Sequence, residues 1–407
     1  MARKGLTPVS GARGRFIRLD PIVPDPHRWL KQEFDWDANV AVVDMFCGAG
    51  GMSFGLDSVK GMRVVAGLER DPIAAMTHMA NMPAPVFTGD VSEVEDFRCL
   101  FRSMGVRRVD ILTGGPPCQG FSRLGKGALR RLALDDGRNV DLHDPRNWLF
   151  RHFMRAVRQL RPQVVVIENV PEMLGYTPII EEIRGIFEDL DYMFEARVLR
   201  ADQYGVPQRR SRLFMIANRN GHNVVWPKPR RYVRTLRDAI GDLPEVGPAH
   251  FEEEIPWTRP PKLGPYLRMM RAGLRGAAAR VVYDHVTRAH RAEDIAAFRH
   301  MRQGDRYGAV PVHLRRYRDN IFADKYHRMI WDAPSWTVTA HLAKDGYKYI
   351  HPEQHRTISV REAARIQSFP DRFRFAGSRT HRFAQIGNAV PPLLAAELGR
   401  SLLALID

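Results

Sequence analysis

Between residues 40 and 217, short apolar runs rich in β-branched residues alternate with longer stretches of helical pattern. The apolar runs are Val40–Phe46, Arg63–Leu68, Ala84–Thr88, Val109–Thr113, Gln163–Glu168 and Arg212–Ala217. The helical stretches are Asp71–Met82, Glu93–Met104, Asn147–Leu160 and Pro178–Leu190. This alternation predicts βαβ units, and hence an α/β fold with a doubly wound, mostly parallel sheet. Because ligands of such sheets bind at the carboxyl ends of the strands, we expect the loops after these runs to carry the chemistry.

The charge of the chain favours a polyanionic partner. The 407 residues include 62 Lys+Arg and 46 Asp+Glu, a net charge of +16. Residues 219–328 hold 22 basic and 12 acidic side chains, a net of +10. Such an excess usually indicates nucleic acid binding, although an arginine-rich proteome would also produce it. No apolar run approaches the roughly 20 residues of a membrane-spanning helix, so no membrane partner is expected.

The cysteine content and the N-terminus both predict a cytoplasmic protein. Cys47, Cys99 and Cys118 are too few for a disulfide framework, and their spacing matches no zinc site, so no metal is expected. The basic N-terminus lacks the apolar segment of a secretory signal.

The patterns divide the chain into four segments. Residues 1–39 form a basic N-terminal extension without periodicity, and residues 40–218 carry the alternating pattern. Residues 219–358 are basic and contain breaker-rich runs such as WPKPRR and IPWTRPPKLGP, and residues 359–407 contain two late helical stretches. The second of these, Pro391–Leu405, is strongly apolar and needs a core. We therefore expect residues 359–407 to return to the domain formed by residues 40–218.

The first three predicted strands end in residues suited to an adenosine-type ligand. The glycine-rich turn DMFCGAGG, residues 44–51, lets the backbone approach a ligand and directs the next helix N-terminus at it. Glu69 ends the second strand and can accept hydrogen bonds from ribose hydroxyls, and Asp90 offers a further acceptor after the third. No GxxxxGK[ST] phosphate cradle is present, which favours a cofactor without phosphate. A tight turn with no ligand is the alternative for residues 44–51.

The fourth and fifth strands lead to a candidate nucleophile and a candidate acid–base group. Cys118 lies in GGPPCQGFS, where prolines and glycines place it on a rigid turn. A lone cysteine is usually inert, but this setting favours a nucleophile. Glu168 follows four apolar residues, which makes it a candidate for proton transfer. Arg210 and Arg212 are two residues apart and would share one face if their segment opens a strand.

Eight motifs occur in the order typical of one family. They are DMFCGAGGMSFGL, GLERD, GDVSEV, GGPPCQGFS, ENVPEML, QYGVPQRRSRLFMIA, REAARIQSFP and QIGNAVPP, and they run from Asp44 to Pro392. By these motifs the chain resembles the bacterial cytosine-C5 DNA methyltransferases, which depend on S-adenosylmethionine. The resemblance implies a Rossmann-like class I methyltransferase fold. It also implies that residues 40–218 form the catalytic and cofactor-binding domain and residues 219–358 a smaller, irregular target-recognition domain.

The resemblance further implies the role of each catalytic residue. Cys118 would add to C6 of a cytosine that is flipped out of duplex DNA. Glu168 would bind N3 and the exocyclic amine of that base. Arg212 would reach O2, and Arg210 would support the flipped nucleotide and the thiolate. Three further residues would lie at the target base or in the DNA-facing loop, namely Gln119, Ser122 and Gln208.

The resemblance places a second set of residues around S-adenosylmethionine. They are Phe46, Gly48, Gly51, Glu69, Asp90, Pro116 and Asn388. Glu69 would bind the ribose and Asp90 the adenine amine. Asn388 would come back from the C-terminal segment to close the cofactor pocket, and simple helix N-capping is its alternative role.

Double-stranded DNA is the partner that the resemblance implies. A cognate restriction endonuclease encoded nearby would make the protein part of a restriction–modification system, and its absence would make it an orphan methylase. A monomer is expected in either case. Two alternatives stay open: a tRNA methyltransferase, since one branch of the family acts on tRNA, and a catalytically inactive DNA-binding relative. The long basic segment favours duplex DNA, and the intact Pro-Cys-Gln and Glu-Asn-Val elements favour an active enzyme.

Overall fold

The chain divides into two compact units. The computed structural model describes residues 15–16, 39–117, 149–316 and 326–406. The first unit is drawn from Met1–Arg200, Ser211–Lys228 and Ala395–Asp407, and the second from Ala201–Arg210 and Pro229–Leu394. Among the described helices, none combines the length and the apolar composition that crossing a bilayer requires.

A mostly parallel sheet forms the centre of the first unit. Its strands are β1 (Arg15–Phe16), β2 (Val40–Met45), β3 (Met62–Glu69), β4 (Val86–Thr88), β5 (Ile111–Gly114), β6 (Val164–Asn169), β7 (Met193–Arg200) and, after the short β8 (Gln208–Arg209) of the second unit, β9 (Ser211–Asn218). Within the described residues their order is β1-β4-β3-β2-β5-β6-β9-β7. The pairs from β4 through β6 are parallel, whereas β1, β7 and β9 pair antiparallel. The predicted α/β fold with a doubly wound, mostly parallel sheet is confirmed.

Two helices of the first unit begin at an aspartate that caps them. The helices of this unit are α1 (Gly51–Asp57), α2 (Pro72–Asn81), α3 (Phe97–Ser103), α4 (Leu149–Leu160) and α5 (Thr177–Glu188). Asp71 accepts a hydrogen bond from Ile73 N at the start of α2, and Pro72 occupies its first position, where the missing N–H costs nothing. Helices α4 and α5 bury Phe153, Met154 and Ile183 in the same apolar core as the central strands.

The second unit has little regular structure. Its helices are α6 (Leu236–Ile240), α7 (Pro265–Met270), α8 (Ala292–His300), α9 (Val360–Ile366) and α10 (Arg379–Asn388). Two small ladders complete it, formed by β10 (Glu254–Pro256) with β11 (Val281–Tyr283) and by β8 with β12 (Ser335–Trp336). The last helix, α11 (Pro392–Leu402), belongs to the first unit from Ala395 onward.

Buried ion pairs hold α9 inside the second unit. Arg356 donates to Glu362 at 2.7 Å, Arg361 to Asp284 at 2.8 Å, and Arg365 to Asp371 at 2.7 Å, all with side chains at most 2% exposed. A buried charge is tolerated only with such partners.

The C-terminal boundary therefore differs from the expected one. Residues 359–394 pack within the second unit, because Arg361 and Arg365 find their carboxylates there. Only the end of the chain packs within the first unit, where a Cβ atom at Gly399 would lie 3.0 Å from the Leu56 side chain.

Two buried histidines make the second unit sensitive to acid. Burial lowers the pKa of His285 to about 4 and that of His351 to about 4. An unfolded histidine titrates near about 6.5, so between that pH and about 4 the unfolded chain binds protons that the folded chain does not. We therefore expect the free energy of unfolding to fall by on the order of several kcal/mol as the pH is lowered through this window.

Urea unfolding followed by tryptophan fluorescence measures this effect, since Trp331 packs edge-on against His351 with ring centroids 5.3 Å apart. Replacing His285 with Asn should remove part of the pH dependence. The matched control is His313→Asn at an exposed position, which should behave like the parent. Equal parent stability at about pH 7 and about pH 5 would contradict the expectation.

Candidate active site

The glycine-rich turn after β2 adopts a backbone shape that glycine permits. Phe46, Gly48 and Gly50 have φ values of 59°, 55° and 92°. A Cβ atom at Gly50 would lie 2.3 Å from Cε of Met82 and 2.8 Å from Cδ2 of His78. The turn is therefore closely packed from below and ends where α1 begins at Gly51. On the side away from Met82 and His78, the backbone of the turn can lie directly against a ligand, because glycine has no side chain to separate them.

Glu69 fixes this turn to the end of β3. One carboxylate oxygen accepts from Gly48 N at 2.8 Å, and the other accepts from Asp71 N at 2.8 Å. Burial raises the pKa of Glu69. Two residues that the sequence placed at the cofactor, Gly48 and Glu69, are thus in direct contact.

Asp90 follows β4 on the next strand along the same sheet edge. Its side chain accepts from Ser92 N at 3.0 Å and from Ser92 Oγ at 2.7 Å, and it is 30% exposed. Backbone atoms join this strand end to the previous one, because Gly89 N donates to Glu69 O at 3.2 Å. The predicted acceptors Glu69 and Asp90 therefore end adjacent strands.

A buried polar network beneath the turn was not predicted from sequence. Ser53 on α1 donates to Asp44 on β2, and His78 Nε2 on α2 lies 3.1 Å from Ser53 Oγ. Burial raises the pKa of Asp44 to about 7 and lowers that of His78 to about 3. At neutral pH His78 is therefore uncharged and Asp44 is only partly ionised, which limits the charge that the network buries beneath the turn.

Glu168 and Arg212 form an ion pair at the end of β6. The antiparallel register of β6 and β9 brings the two side chains together, and Arg212 Nε lies 2.9 Å from Glu168 Oε1. Both are 14–15% exposed, so the pair is accessible at one side. A guanidinium beside the carboxylate fixes its orientation and leaves the second oxygen for another partner.

The turn that leads to Cys118 lies against this pair. A Cβ atom at Gly115 would be 3.0 Å from Glu168 Oε2, so a larger residue there would crowd the carboxylate. Asn169 donates to Pro116 O at 3.3 Å and holds the turn in place. Cys118, Gln119 and Ser122 lie outside the described residues, and their roles stay predictions.

Arg210 has a different environment from the predicted one. Strand β9 begins at Ser211, so Arg210 precedes it and the two arginines do not share a strand. Its guanidinium is fully buried in the second unit and donates to Val338 O at 2.7 Å and Gly387 O at 3.1 Å. These contacts anchor the Arg210 guanidinium within the second unit, and its role at the flipped nucleotide stays a prediction.

Gln208 and Asn388 also belong to the second unit. Gln208 accepts from Val338 N at 2.8 Å and donates to Gln367 at 2.8 Å. Asn388 is the last residue of α10 and its side chain is exposed. The alternative of N-capping is therefore wrong for Asn388, since the residue ends a helix rather than beginning one.

A family model and several curated relatives match most of this chain. The family described as C-5 cytosine-specific DNA methylase matches residues 40–404. The Type II methyltransferase M.AgeI of Thalassovita gelatinovora is 31% identical, over 88% of this chain and 98% of the relative. The Type II methyltransferase M.Eco47II of Escherichia coli is 35% identical, over 90% and 79%.

Solved structures show the same fold. A proposed DNA modification methyltransferase encoded within an Escherichia coli prophage superposes with a TM-score of 0.71 at 25% identity, covering 90% of this chain and 99% of that one. The methyltransferase EhMeth of Entamoeba histolytica superposes with a TM-score of 0.58 at 15% identity, covering 90% and 98%, and at that identity it bears on the fold alone.

Proposed function

The chain belongs to the C-5 cytosine-specific DNA methylase family, and from that premise we propose that it methylates a target cytosine within a specific sequence of duplex DNA. The reaction would transfer a methyl group from S-adenosylmethionine to C5 of a cytosine flipped out of the helix. The observation that carries this proposal is the Glu168–Arg212 pair, held at 2.9 Å beside the glycine turn that leads to Cys118.

The chemistry requires activation of a carbon that is a poor nucleophile. The Cys118 thiolate adds to C6 of the cytosine, which places negative charge on the ring. Glu168 holds or delivers the proton at N3 as that charge develops, and Arg212 orients Glu168 and the base through its remaining donors. S-adenosylmethionine, when bound, supplies an electrophilic methyl group for C5. Loss of the C5 proton and expulsion of Cys118 then release 5-methylcytosine.

The described residues fit an adenosine ligand without phosphate. Glu69 and Asp90 end adjacent strands and can accept from ribose hydroxyls and an adenine amine. The turn at Gly48 and Gly50 allows close approach of the methionine portion. Phe46 follows β2, Pro116 follows β5 and Gly51 begins α1, and their roles at the cofactor, like that of Asn388, stay proposals.

We further propose that the second unit recognises the target sequence. The supporting observation is the concentration of basic side chains in residues 219–328. Most would contact phosphates, and few would read base edges. Relatives bearing Type II names suggest a modification enzyme with a cognate endonuclease. As part of the same proposal, the enzyme acts as a monomer at the nucleoid in the cytoplasm.

A methyl-transfer assay separates this proposal from its alternatives. Purified protein and S-adenosylmethionine labelled in the methyl group are incubated with duplex DNA or with total tRNA at matched salt. We expect label in duplex DNA, in the form of 5-methylcytosine. Preferential labelling of tRNA would mean that tRNA, and not DNA, is the substrate. No transfer to either nucleic acid would indicate an inactive relative.

A further inference from the structure

A cationic pocket lies within the second unit, away from the residues discussed so far. It has a volume of about 420 Å³. Four cations line it, Arg288, Arg291, Lys344 and Arg379, together with His290 and a single acid, Asp345. One carboxylate cannot balance four positive charges, so the pocket carries a net positive charge suited to an anion.

The inner wall of this pocket is rigidly built. Arg288 donates to three successive carbonyls, those of Leu342 at 2.8 Å, Ala343 at 3.2 Å and Lys344 at 3.3 Å. Arg379 donates to Thr287 O at 2.9 Å, and Thr357 N donates to His290 Nε2 at 3.1 Å. These contacts hold the cations in place before any ligand arrives, which lowers the entropic cost of binding.

Three polar atoms of the wall are buried without a hydrogen-bond partner among the described residues. They are Arg288 Nε, Arg379 Nε and His290 Nδ1. A buried polar atom left unpaired is costly and calls for an explanation such as a ligand. Burial lowers the pKa of Arg288, and the neighbouring Arg379 lowers it further. A bound anion would relieve the repulsion between these two cations.

We propose that this pocket binds a backbone phosphate of the duplex DNA, a proposal that rests on the DNA-methylating function given above. Arg291 and Lys344 are exposed and can reach a phosphate carried on a polymer, whereas Arg288 and Arg379 are partly buried behind them. Such a contact fixes the register of the protein on DNA and carries no sequence information. Lys344 also lies within the stretch 326–351, whose Ile350 and Tyr347 pack in an apolar cluster with Phe298 in the unit proposed for recognition.

The test removes the two exposed charges. Arg291→Gln combined with Lys344→Gln leaves the buried wall intact, so the variant should fold like the parent. The matched control is Lys60→Gln combined with Arg102→Gln, which removes two exposed charges from the first unit. DNA affinity is measured by fluorescence anisotropy at several salt concentrations. Loss of about one phosphate contact should flatten the slope of log affinity against log salt by about 0.9 and weaken binding to all sequences alike.

A chemical probe locates the phosphate. Neutral methylphosphonates replace single phosphates along the duplex. At one position, this replacement should weaken DNA binding by the parent roughly tenfold or more and leave DNA binding by the pocket variant unchanged. The proposal is overturned if the pocket variant keeps the salt slope of the control, or if inorganic phosphate stabilises the parent while pocket substitutions leave DNA binding unchanged. Failure of the parent to bind or methylate duplex DNA would instead contradict the proposed function itself.

Discussion

Replacing Cys118 with Ser is expected to abolish methyl transfer while S-adenosylmethionine binds nearly as well as in the parent. A serine hydroxyl is far less acidic than a thiol, so it cannot supply the anion that adds to C6. The residues proposed for the cofactor, such as Gly48 and Glu69, are held by contacts of their own at other strand ends. The Cys118→Ser protein should therefore bind S-adenosylmethionine without transferring its methyl group.

A duplex containing 5-fluorocytosine at the target position measures the adduct directly. Fluorine at C5 cannot leave as a proton does, so the parent should be trapped in a covalent complex that survives denaturing electrophoresis. The Cys118→Ser protein should not be trapped. Cys99→Ser is the matched control, since Cys99 is an exposed cysteine on α3, and it should be trapped like the parent. Trapping of the Cys118 variant, or turnover near the parent rate, would contradict the role of Cys118.

Replacing Glu168 with Gln is expected to slow methyl transfer on the order of 10²-fold or more, the usual effect of losing a positioned acid–base group. Glutamine can still accept the hydrogen bond from Arg212, whose Nε lies 2.9 Å away in the parent. It cannot transfer a proton at N3. The loss should therefore appear mainly in kcat, with little change in the affinity for S-adenosylmethionine.

The pH–rate profile distinguishes this role from a structural one. Parent and variant are compared under single-turnover conditions, and the variant should lose one limb of the profile. Glu172→Gln serves as control, because Glu172 is an exposed carboxylate four residues further along the chain. An unchanged rate and profile in the Glu168 variant would mean that this carboxylate only pairs with Arg212.

The functional residues at the strand ends could be predicted because each lies next to an apolar run in the sequence. Several apolar runs lead to a residue whose chemistry is out of place in a core, as Glu168 is after Ile167, and parallel strands bring such ends to one edge. The contact between Glu69 and Gly48 follows from the same reasoning. Strand β7 was missed because most of its side chains are partly or fully exposed, which removes the apolar run that would identify it.

Contacts between distant segments were not predictable from pattern. The Asp44–Ser53–His78 network joins β2, α1 and α2, and each member alone is an ordinary polar residue. In the sequence, Arg210 stands two residues from Arg212 and is expected at the flipped nucleotide. In the structure its guanidinium is buried, and two carbonyls more than a hundred residues away accept its hydrogen bonds. Arg361 and Arg365 similarly hold α9 in the second unit through carboxylates that no periodicity identifies.

The central claim is that this chain methylates C5 of cytosine within a specific duplex sequence. Its most direct test is bisulfite sequencing of genomic DNA from a host that lacks cytosine-C5 methylases and expresses either the parent or the Cys118→Ser protein. We predict that the parent makes one cytosine in a single short sequence resistant to conversion at nearly every genomic occurrence, while the variant gives the background of the empty host. Absence of any such sequence in cells that contain folded parent protein, or new 5-methylcytosine confined to tRNA, would contradict the account.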